Sequence, residues 1–110
     1  MLIDGDRDMA EKLKERLLAH NGARIRRVIL YGSRARGAAT RDSDFDLLVV
    51  ESDPVQRIEE TRRLREAVKG VPVRVHVLVM GEVEFQETKN VIGGLAYPAH
   101  RYGVVLYESA

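Results

Sequence analysis

The chain has 110 residues, 18 basic and 17 acidic side chains, a formal net charge of +1 and no cysteine. That length suits one domain with a real core, and the lack of cysteine excludes a disulfide scaffold and any thiolate zinc site while suiting a reducing compartment. No apolar run approaches the roughly 20 residues of a membrane helix, the acidic start MLIDGDRDMAEKLKER lacks a secretory-leader pattern, and near-neutral charge excludes a globally basic nucleic-acid binder.

These limits predict a single domain over residues 1–110, cytoplasmic and not membrane-bound. Residues 6–20 read as a helix: Asp6 stands as N-cap, Met9, Leu13 and Leu17 recur at i, i+4 and i+8, and Asn21-Gly22 is the stop. Residues 25–31 (IRRVILY) read as a strand broken by Gly32-Ser33. Residues 45–51 (FDLLVVE) form a second strand with an apolar run. Asp53-Pro54 has the form of an N-cap followed by proline at the first helical position. The helix it opens is expected to reach Lys69, with Ile58, Leu64 and Val68 inward and Gly70 as the stop. Residues 72–80 (PVRVHVLVM) alternate and then turn apolar, a third strand. Residues 82–90 are expected to be helical, Pro98 marks a helix start or a kink, and residues 104–107 (VVLY) close the chain as a short strand. Strands interleaved with helices predict an α/β or α+β fold, a sheet with helices packed on it.

Charge is unevenly placed. Six arginines lie between Arg24 and Arg41 with no acid among them, and Asp42-Ser43-Asp44-Phe45-Asp46 follows directly. Few aromatics (5%) and a net charge of +1 argue against reading those arginines as a nucleic-acid face. Strand alternation puts Asp44 and Asp46 on one face with Cα atoms about 6.5–7 Å apart. Such a pair can converge on one divalent cation or hold two ions about 3.5–4 Å apart. The bland alternative is loop and turn carboxylates at Asp42 and Asp44 and a salt bridge from Asp46 to a nearby arginine. Two like charges where a buried strand begins are costly unless a cation or an arginine neutralises them. Gly32 and Ser33, between a strand and a polar turn, present backbone N–H groups suited to phosphate, to which Ser33 can add a hydroxyl and Arg34 and Arg36 charge. The turn also reads as a plain strand-to-helix connection that uses glycine for its backbone freedom.

Together the two segments read Gly32-Ser33-Arg34-Ala35-Arg36-Gly37, six residues, then Asp44-Phe45-Asp46, or G-S-x-A-R-G-x6-D-x-D. This resembles the nucleotidyltransferases of the polymerase-β superfamily, in particular its minimal nucleotidyltransferases, and the resemblance extends to the Gly103–Glu108 ending. It implies a small mixed sheet whose first two strands are antiparallel. Gly32 and Ser33 would grip a nucleoside triphosphate, expected to be ATP, and Asp44 and Asp46 would hold magnesium. It also implies a third carboxylate on the next strand, a ligand of the catalytic metal and the base for the attacking hydroxyl. Here the candidates are Arg74 and His76, which share a face. Counting back from Phe85 favours His76, and counting forward from Gly70-Val71-Pro72 favours Arg74. Imidazole can ligate a metal or act as a base, although magnesium prefers oxygen, so the catalytic set reads Asp44, Asp46 and His76. The family's usual partner is a small helical HEPN protein, with which it resembles a toxin–antitoxin pair. The implied activity is transfer of AMP to that partner. The alternative is a degenerate site that binds nucleotide or neutralises the partner by contact. A homo-oligomer stays open.

Overall fold

The structure, a computed structural model, describes residues 4–40 and 42–109; Arg41, the last of the basic stretch, lies outside them. The element order is α1 (Asp4–Asn21), β1 (Ile25–Tyr31), α2 (Gly32–Ala35), β2 (Phe45–Glu51), α3 (Arg57–Ala67), β3 (Val75–Gly81), α4 (Glu82–Thr88), α5 (Tyr97–Tyr102) and β4 (Val104–Glu108). The four strands form one mixed sheet in the order β3-β2-β1-β4. β1 runs antiparallel to β2 and β4, and β2 runs parallel to β3, a pairing that needs a crossover, supplied by α3.

Alternation along the strands gives the sheet two apolar faces. Val28, Leu30, Phe45, Leu47, Val49, Val77 and Val79 pack with Leu13 and Leu17 of α1 and Leu64 of α3. On the other face Ile29, Leu48, Val50 and Met80 meet Phe85, Ala96 and Ala99 from the α4–α5 side. Both faces being covered explains why FDLLVVE carries an unbroken apolar run. Burying each such leucine or phenylalanine contributes about 1.5–3 kcal/mol. An irregularity in the β1–β2 pairing between Ile25 and Arg27 lets Ile25 join the face of Val28.

Several expectations change. Asp6 is not an N-cap: it lies within α1, buried, and pairs with Arg34. Asp53-Pro54 does not open a helix; α3 begins at Arg57, and the Asp53 carboxylate instead accepts the Val83 N–H at 2.9 Å, near the start of α4. Leu64 and Val68 are buried as expected, but Ile58 is 79% exposed. It lies six residues before Leu64, about 240° around the helix, and the inward place is taken by Glu60. β3 starts at Val75 rather than at residue 72, and α4 stops at Thr88. Pro98 sits in the first turn of α5, where its missing N–H costs nothing.

Glu60 is tolerated inside because it meets other polar groups. Asn21 donates to its carboxylate at 2.6 Å, and Glu51, fully buried at the end of β2, lies beside it with Arg24 Nε 3.9 Å away. Burial first, then Glu60, pushes the Glu51 carboxyl up to about 7, against the pull of Arg24 and Asn21. Between an unfolded value near 4.5 and about 7 the folded chain holds a proton that the unfolded chain has released. This group's contribution to stability is therefore full below 4.5 and falls as pH rises to 7. Comparing parent with Glu51→Gln by urea unfolding should show the parent losing on the order of 2 kcal/mol more between pH 5 and pH 8. Parallel pH profiles for the two proteins would contradict it.

Candidate active site

Antiparallel pairing brings the end of β1 to the start of β2, with Tyr31 opposite Asp46. The next residue, Gly32, has φ +77°, and a Cβ there would overlap the Asp46 carboxylate. Glycine is thus required twice, for the left-handed turn and for the close approach. α2 follows as a single turn, in which the Ser33 carbonyl accepts the N–H groups of Arg36 and Ala38 at 3.2 and 3.0 Å. The opening N–H groups of such a turn have no partner within it. Gly32, Ser33 and Asp46 therefore stand together at one end of the sheet.

Asp46 is 29% exposed, between Tyr31 and β3. Burial raises its carboxyl above the ordinary range; His76 opposes the shift and Asp44 adds to it. Burial and the Asp46 charge likewise raise the Tyr31 phenol. Parallel pairing sets His76 opposite Asp46, with Nδ1 3.7 Å from Oδ1. Arg74 goes elsewhere: its Nε lies 2.9 Å from Asp44 Oδ1 and its guanidinium donates to the Asp42 carbonyl. The Arg74–Asp44 contact is an ion pair rather than an aligned hydrogen bond, since Oδ1 has no hydrogen-bond partner. Of the two residues the sequence leaves open, His76 is beside Asp46 and Arg74 beside Asp44.

Arg34 does not join this group. Its guanidinium is 12% exposed, bonded to Asp6 at 2.9 Å and to the Ser43 carbonyl at 2.8 and 3.2 Å, and lies 4.5 Å from the centre of the Phe45 ring. Phe45 faces α1 and α3, so Arg34 ties α2 to that side and holds the backbone just before Asp44. Asp6, 28 residues away in sequence, is the partner that sequence reading misses; a buried acid on an otherwise apolar helix stripe was the available signal. Removing Arg34 leaves Asp6 buried and uncompensated. Arg34→Ala should cost about 3–5 kcal/mol in urea unfolding, and a loss under about 1 kcal/mol would show the pair to be incidental. Arg36 caps the end of α2 through its backbone, with an exposed side chain.

The nucleotidyltransferase domain family model matches residues 10–94. This chain belongs to the nucleotidyltransferase domain family. No curated protein matches the sequence. A Sulfolobus solfataricus protein assigned to the nucleotidyltransferases superposes with a TM-score of 0.64 at 18% identity, over 94% of this chain and 85% of that one. A toxin–antitoxin structure with AMP-PNP gives a TM-score of 0.59 at 22% identity, over 90% and 73% of the two chains. Spectinomycin adenyltransferase AAD(9) from Enterococcus faecialis gives 0.51 at 17%, over 70% of this chain and 35% of that one. At these identities the likeness is one of fold.

Whether this member of the family suits a divalent ion depends on its donors. Among the described residues no three His, Cys, Asp or Glu side chains meet as a ready-made ligand set. Asp46 offers oxygen and His76 nitrogen, while Asp44 is drawn to Arg74. That ion pair is exposed, 74% on the arginine and 45% on the aspartate, so opening it costs no more than about 1 kcal/mol. The donors therefore suit a divalent ion, but not magnesium in an all-oxygen set of three carboxylates.

Proposed function

We propose that the chain binds a nucleoside triphosphate, ATP being the expected one, and transfers AMP to a protein partner of the HEPN type. It would act in the cytoplasm, as the antitoxin of a toxin–antitoxin pair. The observation that carries this reading is the packing of the Gly32 backbone against Asp46. This close packing supports reading the Gly32-Ser33 turn as the phosphate site beside a carboxylate, the juxtaposition that metal-assisted nucleotidyl transfer needs. Support for the partner class comes from the fold shared with toxin–antitoxin structures, one of them with AMP-PNP.

In this reading Gly32 and Ser33 hold the triphosphate by backbone N–H groups and a hydroxyl. The acceptor hydroxyl oxygen forms a bond to the α-phosphorus as the bond to the bridging oxygen breaks, and pyrophosphate leaves. A divalent ion, when bound, supplies charge neutralisation on the phosphates. Asp46 would be the carboxylate that holds this ion, without which it and the phosphate would repel. The proton of the acceptor hydroxyl passes to the His76 imidazole where its nitrogen is free, and to solvent water where that nitrogen holds the ion.

A second reading is contact neutralisation without transfer. The Arg74–Asp44 ion pair and the imidazole at the third position favour it. One experiment separates the two: incubate the chain with α-labelled ATP, a divalent ion and a candidate partner of the HEPN type. Label on the partner, lost in Asp46→Asn, supports transfer. A stable complex that silences the partner without label supports contact. Neither nucleotide nor partner bound would overturn both.

A further inference from the structure

We propose that the ion position of this chain is a mixed oxygen–nitrogen one, in which Asp46 and Nδ1 of His76 share a first-row transition ion, with manganese as its probe, in preference to magnesium. This deepens the nucleotide-binding reading above and rests on it. β2 and β3 are parallel and in register, so Asp46 and His76 face each other across the ladder on the side of the sheet that carries Leu48 and Leu78. The facing atoms are Oδ1 and Nδ1, 3.7 Å apart. Adjacent donors of an octahedral ion with bonds near 2.1 Å stand about 3 Å apart. A small side-chain rotation closes that gap, and His76, 54% exposed, has room to make it and leaves the ion a way in.

Donor chemistry then sets the ion. Magnesium prefers oxygen and gives up water reluctantly, whereas imidazole suits first-row transition ions such as iron, nickel and zinc; manganese, the weakest binder of that series, serves as the paramagnetic probe. Two protein donors cannot complete a six-coordinate shell; triphosphate oxygens and water share the rest, and Asp44 adds a carboxylate once Arg74 moves aside. Ion and nucleotide should therefore bind together.

The test uses the full chain with Mn²⁺ and a non-hydrolysable ATP analogue. Pulsed electron paramagnetic resonance should show nitrogen hyperfine coupling on bound Mn²⁺ in the parent and none in His76→Ala. By calorimetry, the analogue should bind tighter with Mn²⁺ than with Mg²⁺ in the parent, and the ratio of the two affinities should fall in His76→Asp. Residue 76 is exposed, so neither variant disturbs the core. Mn²⁺ and analogue bound without nitrogen coupling, or a ratio unchanged in His76→Ala, would overturn this proposal and leave the nucleotide-binding reading standing. Analogue bound with neither ion would overturn both.

Discussion

His76→Asp should speed AMP transfer to the partner by about tenfold or more when magnesium is the ion supplied, the gain coming from an oxygen ligand for that ion rather than from a base, which the imidazole already provides. The substitution puts an oxygen ligand opposite Asp46, at the register position where the structure holds an imidazole. Arg74→Asp should not reproduce the gain. Arg74 reaches Asp44 and the Asp42 carbonyl, and an acid there would add repulsion to Asp44 without approaching Asp46. The measurement is the initial rate of labelled AMP transfer for parent and both variants at one magnesium concentration. A rate in His76→Asp no higher than in the parent would count against the third-position assignment. Brisk transfer by the parent, unchanged in His76→Ala, would show that imidazole is not limiting.

Gly32→Ala should remove nucleotide binding while leaving a folded protein. The left-handed backbone costs an alanine about 1–2 kcal/mol, which a chain with two covered sheet faces can absorb. The larger effect is local: the new methyl group must displace the Asp46 carboxylate. Misplacement of a reacting group by about 1 Å can cost on the order of 100-fold, and losses of that size are expected in analogue affinity and in transfer. Circular dichroism checks the fold and calorimetry the affinity. Parent-like affinity in Gly32→Ala would mean that the turn over Asp46 is not the phosphate site.

The elements next to the motif were readable to the residue, because local chemistry bounds them. β1 ends where Gly32 must take a left-handed φ, and β2 begins between the two aspartates. What could not be read depends on partners distant in sequence. Asp53-Pro54 has the local form of a helix start, yet the Asp53 carboxylate serves the N–H of Val83, 30 residues on. Arg34 looks like one more cation for a phosphate until Asp6 and the Ser43 carbonyl are seen to hold it. Glu51 and Glu60 look like solvated acids, and their burial follows only from the packing of α3. The two ways of counting toward the third position disagree because a parallel register is set across the crossover, not by either flanking turn.

β3 lies at the rim of the sheet, with Val77, Val79 and Met80 carrying its packing, while His76, near its start, is exposed. Folding and chemistry are therefore written in different letters of the same strand. A lineage with this architecture can trade a carboxylate for an imidazole, or reverse the exchange, without passing through an unstable intermediate. An enzyme and a non-catalytic binder are then near neighbours in sequence space.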